Sequence, residues 1–395
     1  MKKLYPILLA VIMLMFFSCG EDNDMAPQLN FEKIEGFVQK GPYLNGTTIS
    51  IAELNSDLSP SGKIFTSQIL DNKGSFEIRN VELTSQYVEL MADGFYFNEV
   101  KNANSSARLT LLALSDLSNK SSLNVNVLSS LEKNRVYYLT SQGESFSDAK
   151  KMAQHEILSI FEIDKEEIGE SEQLDISKPG DDNAILLAVS VILQGYLSVS
   201  ELSELLANIS TDIRDDGQLN SQALGSTLIN NAKTINLAAI RSMLESRYEL
   251  LGLNISVPDF ESYVNQFIEN TDFVFTGFIE YPATGKYGKN ILDREESNYS
   301  PGTYSMKAVL PEGTNLKVKL GGQNWYFPAF QDNTGWEFSP INPSENSRIF
   351  TATRTGEIDF ELAFGSRSDS TGTIYLHVYE NDDQEATWTK EIEMN

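Results

Sequence analysis

Two short stretches bring together residue types that could hold a metal. His155-Glu156-Ile157-Leu158-Ser159 begins like the helical pattern in which two histidines four residues apart bind zinc beside a catalytic glutamate. Ser159 stands where the second histidine would be, so the stretch reads as a solvated helix surface. His155 and His377 are the only histidines and Cys19 the only cysteine of 395 residues, which leaves a zinc enzyme short of ligands. Asp212-Ile213-Arg214-Asp215-Asp216-Gly217-Gln218 gathers three carboxylates and a turn glycine. With Gly217 sixth in a calcium loop, Asp212 is first and Asp216 fifth, but Arg214 falls third and Ala223 twelfth, where a bidentate glutamate belongs. The stretch is expected to be an acidic turn between helices, with a looser calcium site on Asp212, Asp215 and Asp216 as the weaker alternative. No other cofactor is suggested.

A third stretch could bind rather than react. Trp325, Tyr326, Phe327, Phe330, Trp336 and Phe338 fall within fourteen residues, broken by Pro328 and Gly335 and followed by Pro340. Such rings either plug a core or form a platform on which the C–H face of a sugar stacks while polar neighbours, here Asn324, Asp332 and Asn333, meet its hydroxyls. Core packing is the commoner fate of large rings. Trp325, Tyr326 and Trp336 are the candidate glycan platform. No catalytic residue is assigned, because the sequence has no G-x-S-x-G, P-loop or G-x-G-x-x-G pattern. A hydrolase using a carboxylate pair needs only two of the 56 acidic residues, and no pattern singles out such a pair.

The elements that carry these stretches follow a leader. Lys2 and Lys3 precede the apolar run Leu4 to Phe17, then Ser18 and Cys19. The run is fourteen residues long, against the about 20 that span a bilayer. The segment resembles a type II bacterial signal peptide. That resemblance implies cleavage before Cys19 and its acylation, palmitate included, and so a lipid anchor in the outer membrane. Residues 19–33 read as a tether, and its acidic start, Glu21-Asp22-Asn23-Asp24, looks like the surface-export signals of some Gram-negative lipoproteins. The formal charge is -26, and -28 once Lys2 and Lys3 leave with residues 1–18, which argues against nucleic acid as a partner. With Cys19 acylated, no disulfide can form within the chain, and stability falls to packing.

Residues 34–115 alternate as short strands, as in Thr48-Ile49-Ser50-Ile51-Ala52 and Phe76-Glu77-Ile78, with turns at Asn45-Gly46, Pro60-Ser61-Gly62, Asn72-Lys73-Gly74 and Asp93-Gly94. Gly36 to Pro42, Ile49-Ser50-Ile51, Asp71 to Phe76 and Tyr87 to Leu90 together resemble carboxypeptidase-regulatory-like or transthyretin-like β-sandwiches, a fold that usually serves as a non-catalytic spacer or adhesive module. Across residues 116–271 the period is helical. Helices are expected over Leu128 to Leu139, after Ser145, over Ala184 to Leu193, after Ser198, over Thr234 to Leu251 and over Pro258 to Glu269. Residues 272–395 return to strands, seven of them, at Phe273–Tyr281, Tyr304–Leu310, Leu316–Leu320, Ile349–Thr353, Ile358–Phe364, Ile374–Tyr379 and Thr387–Ile392.

The expected fold class is therefore multidomain α+β, with a β-sandwich, an all-α helical middle domain and a C-terminal β-sandwich. The expected function is that of a lipid-anchored cell-surface protein that recognises an extracellular glycan or protein and performs no catalysis. A scaffold lipoprotein of an envelope complex is the first alternative. A carbohydrate-active hydrolase is the second.

Overall fold

The computed structural model describes residues 29–282, 286–287, 299–322, 325–327, 335–367, 372–381 and 383–394. It is a mixed α and β chain with seven α-helices among the described residues. Nine strands come first: β1 (Leu29–Gln39), β2 (Thr48–Leu54), β3 (Pro60–Gln68), β4 (Ser75–Leu83), β5 (Tyr87–Gly94), β6 (Phe97–Asn98), β7 (Ala103–Asn104), β8 (Leu109–Asp116) and β9 (Val125–Asn126). Alternation explains them. In β2, Ile49 and Ile51 are buried while Thr48, Ser50 and Ala52 are half-buried, as a strand with one face on a core requires.

These strands form a β4-β1-β9 sheet, a β3-β2-β5-β8 sheet and a β6-β7 ribbon. β1 runs antiparallel to β4, with Leu29 opposite Leu83, and parallel to β9, with Val38 opposite Val125. Beside β1 the chain returns so closely that a Cβ on Gly36 would lie 1.6 Å from the Leu123 carbonyl oxygen. Only glycine fits there.

The helices are α1 (Val127–Ser141), α2 (Phe146–Ile160), α3 (Asp181–Gln194), α4 (Val199–Asp212), α5 (Gln222–Thr234), α6 (Leu237–Leu250) and α7 (Glu261–Asn270). Their starts are set by side chains that accept otherwise unpaired backbone N–H groups: Asn126, Ser145, Ser198, Ser221 and Asn236. Ser198 and Glu201 form a reciprocal capping box. The helices depart from expectation in three places. Helix α5 had no counterpart, and the helix expected from Thr234 begins instead at Leu237, because the Asn236 side chain accepts the Ala239 N–H at 3.0 Å and starts a new helix. The last helix begins at Glu261 rather than Pro258, whose carbonyl accepts from Arg241 Nη2 at 2.9 Å.

From Ala184 to Gln194 every residue of α3 is buried, as expected of a helix apolar on all sides. One apolar cluster runs without a break from Ile34 and Val38 in the strands through Leu128, Ile185 and Val189 to Phe267 in α7. Among the described residues no single helix is long and apolar enough to cross a membrane.

Ten further strands follow: β10 (Phe278–Glu280), β11 (Lys286–Tyr287), β12 (Tyr299–Leu310), β13 (Asn315–Gly321), β14 (Trp325–Tyr326), β15 (Trp336–Phe338), β16 (Ser347–Ala352), β17 (Gly356–Arg367), β18 (Gly372–Glu380) and β19 (Trp388–Met394). Six of the seven expected strands fall on these, while the one expected over Phe273–Tyr281 shrinks to Phe278–Glu280, because Phe273 and Phe275 pack against the first apolar cluster instead. These strands make a β10-β12-β17-β14 sheet, with β11 on β12, and a β15-β16-β13-β18-β19 sheet. Both contribute to a second apolar cluster, with Tyr304, Phe360 and Phe364 from one sheet and Val318, Phe350 and Leu376 from the other. Asn230 of α5 ties the helices to the segment before β10: its Oδ1 accepts from Thr276 N and Gly277 N at 3.0 and 2.9 Å.

Candidate functional site

Strand β18 reads Gly372-Thr373-Ile374-Tyr375-Leu376-His377-Val378-Tyr379-Glu380. Ile374, Leu376 and Val378 are fully buried, which turns Tyr375, His377 and Tyr379 to the outer face of their sheet. Tyr375 is 40% exposed and the other two are half-buried. The ladder places Lys317 opposite Tyr379 and Lys319 opposite His377 on one side, and Thr389 opposite His377 and Glu391 opposite Tyr375 on the other. His377 Nδ1 lies 3.1 Å from Thr389 Oγ1, and the His377 and Tyr379 rings are 6.5 Å apart. This face is a row of rings bordered by ammonium, hydroxyl and carboxylate groups.

At one end of the row is a depression of about 330 Å³ lined by Tyr379, Lys317, Lys319, Ile349, Asn381 and Asp383, among others. Its floor is fixed by the β13 ladder and by Asn381, whose N–H donates to the Asn315 carbonyl at 2.6 Å. Lys317 Nζ is 2.7 Å from Glu345, and that hydrogen bond, aided by Ser347, holds the Glu345 carboxyl below its usual range. The set can stack on an apolar ring face and exchange hydrogen bonds with hydroxyls around it.

The platform expected at Trp325, Tyr326 and Trp336 is corrected at Trp336. That ring is 6% exposed, its Nε1 donates to the Asp359 carbonyl at 3.2 Å, and it packs on Phe360 with centroids 5.0 Å apart. Trp336 is a core residue. Phe327 is buried too, and the Arg348 guanidinium lies 5.8 Å from its ring centroid and 4.8 Å from that of Phe338. Trp325 and Tyr326 pair along the backbone with Ser366 and Gly365 of β17, which puts them on the other sheet. Their side chains, and Asn324, Phe330, Asp332 and Asn333, lie outside the described residues, as does Cys19.

The Asp212 turn is occupied by its own chain. Asp212 Oδ2 accepts from Asn220 N and Ser221 N, Asp215 accepts from Arg214 Nε at 2.7 Å, and Asp216 accepts from Gln218 N and Asn220 Nδ2. The Arg214 and Asp215 carbonyls, which a cation would need, accept from Arg135 Nη1 at 3.1 and 2.8 Å. Arg135 also forms a two-pronged pair with Glu156, both bonds 2.7 Å, so the acid beside His155 holds the turn in place. Gly217 has φ +75°, and a Cβ there would sit 2.3 Å from the Glu156 carboxyl carbon. Among the described residues no group of three acidic, histidine or cysteine side chains could hold a metal ion.

Sequence reasoning missed two buried charge clusters. Lys40 pairs with Glu99, both fully buried, and burial pushes Lys40 down and Glu99 up. Ser190 Oγ donates to the Lys40 carbonyl at 2.7 Å and so joins the strands to α3. The second cluster is Glu132, Lys150 and Glu172, with the ammonium bonded to both acids and Ser171 donating to Glu132. Burial pushes Glu132 up to about 7 against the pull of Lys150, and Glu172 adds to the rise. A cleft of about 250 Å³ reaches Glu132 and Lys150. The group that the two acids share there is the lysine between them, as Lys165 is shared by Asp181 and Asp182 at the surface.

No family model matches the sequence, and no curated protein matches it. A beta-glucosidase structure from Kluyveromyces marxianus is similar over 90% of this chain and 43% of its own, at 9% identity and a TM-score of 0.17. So low a score carries no argument about fold or activity. The chain spans less than half the length of that enzyme.

Proposed function

We propose that this chain is a lipid-anchored protein of the outer membrane, facing the cell exterior, that binds an extracellular glycan. Cys19 carries the lipid, the tether runs from it only as far as β1, whose pairing with β4 already begins at Leu29 rather than after residue 33, and a β-sandwich, a helical layer and a C-terminal β-sandwich follow. The observation behind the binding reading is the row Tyr375, His377 and Tyr379 on the outer face of the last sheet, with Lys317, Lys319, Asn381, Asp383 and Thr389 around it. An exposed Tyr375 and a half-exposed Tyr379, on a strand whose Ile374, Leu376 and Val378 are buried on the other face, suit a partner that stacks, and the polar groups between them suit one rich in hydroxyls. A helix-docking scaffold has less support, because the exposed apolar side chains on helices, Met152 and Leu250, are scattered. The anchor is tested by fatty-acid labelling of cells, where Cys19→Ala should carry no label and should accumulate as precursor. Label retained at the wild-type level would remove the localisation. The binding is tested on a glycan array with the chain lacking its first 24 residues, which keeps every described residue.

A further inference from the structure

Resting on the glycan reading, we infer that the depression beside Tyr379 takes an anionic sugar unit, one that carries a carboxylate or a sulfate. The chain has 30 basic against 56 acidic residues, so two lysines at neighbouring outward positions of one strand go against its composition. Lys317 and Lys319 are such a pair, and both line the depression. Lys317 is already matched by Glu345 at 2.7 Å. The Lys319 ammonium makes no direct ion pair or hydrogen bond with a described side chain, although its charge adds to the pull on Glu345, and the register puts the His377 imidazole directly opposite it.

Four features converge on the same ligand. Tyr379 supplies a ring for the apolar face of a pyranose, while Asn381 and Asp383 supply amide and carboxylate partners for its hydroxyls. The Lys319 ammonium, with no acid in direct contact, supplies the counter-charge for an acid substituent. The volume, about 330 Å³, is on the order of ten waters' share of liquid, enough for one hexose with its substituents. The acids that border this face, Glu345, Asp383 and Glu391, differ in what they do. Glu345 is held by Lys317, and Glu391 stands across from Tyr375, a strand away from Lys319. Of these three, Asp383 lines the depression, so it fixes which way round the sugar lies, its hydroxyls toward Asp383 and its acid group toward Lys319.

The experiment is a titration of the chain lacking its first 24 residues with three oligosaccharide probes of one backbone: a glucuronate-containing form, its carboxyl-reduced neutral form and a sulfated form. Wild type is expected to bind an acidic probe at least tenfold more tightly than the neutral one, and the difference should shrink as salt rises. Lys319→Met should remove that preference and Lys319→Arg should keep it, with both variants melting like wild type because the side chain is half-exposed. Which acidic probe binds more tightly identifies the substituent. Equal binding of acidic and neutral probes, or a preference that Lys319→Met leaves intact, overturns this inference while the glycan reading stands. Failure of all three probes, together with a blank array, overturns both.

Discussion

The two apolar clusters of this molecule treat charge in opposite ways. The one that joins the first nine strands to the helices encloses Lys40, Glu99, Glu132, Lys150 and Glu172. The one between the last two sheets is built from aliphatic and aromatic side chains, with Arg348 its buried cation, Lys317 and Lys319 of β13 turned outward, and Glu380 at the end of β18 accepting from Tyr281 Oη at 2.7 Å. The difference separates two uses of polar groups. In the first region they join segments remote in sequence: Lys40 meets Glu99, and Gln39 Nε2 reaches Asp175, 136 residues away, at 2.6 Å. In the second, Lys317, Lys319 and the ring row of β18 lie on the outer face, where a ligand could meet them. The first arrangement costs desolvation and returns a fixed geometry, whereas the second costs little and returns a binding face.

Breaking the interior pair should have the largest effect. Glu99→Ala leaves the Lys40 ammonium buried without a partner and should cost about 3 to 5 kcal/mol in a urea titration. Replacing both partners together, Lys40→Met with Glu99→Leu, should recover most of that loss. If Glu99→Ala behaves like a surface substitution, the interior charge is not what joins strands to helices. In the other cluster Trp336→Ala should cost about as much, 3 to 5 kcal/mol, because it empties a ring-sized volume beside Phe360. A Trp336 variant of wild-type stability would return that ring to the platform role.

Much of the fold was legible where the signal is local. Six of the seven expected C-terminal strands follow from alternation, and Ser145 and the Ser198–Glu201 box mark helix starts. Helix α5 was not expected, although Ser221 and the spacing of Leu224, Leu228, Ile229 and Ala232 fit one. The binding face was half legible. Ile374-Tyr375-Leu376-His377-Val378-Tyr379 was read as a strand, but its outward set was passed over for the denser aromatics at 325–338, most of which are core or lie outside the described residues. The buried ion clusters leave no local trace, since their members come from separate elements and only the fold brings them together.

Acidity gives a smaller effect with a definite sign. Glu132 has its folded value raised to about 7, above the ordinary carboxylate range. Its contribution to stability is complete below that range and is lost as pH rises through 7. Lys150, pulled down by burial but held above its ordinary value by the two acids, stays charged across this window and adds no slope. Thermal melting should therefore decline between pH 5 and pH 8, and Glu132→Gln should flatten the decline. A decline of the same steepness in the variant would place its origin elsewhere. Smaller still, millimolar calcium should shift the melting temperature by no more than about a degree, because a single weak site adds little unless the cation far exceeds its dissociation constant. A rise of many degrees that Asp216→Ala abolishes would show that the Asp212 turn opens to a cation after all.

The claim that the outer face of the last sheet is the binding face is tested most directly by one paired measurement. Wild type and the double variant Tyr375→Ala, Tyr379→Ala would be compared on the same glycan array and in the same melting scan. The expected result is a discrete set of glycans bound by wild type and lost in the variant, with melting temperatures within about two degrees because neither ring is buried in the second cluster. A blank array for wild type, or binding that survives the loss of both rings, would contradict it.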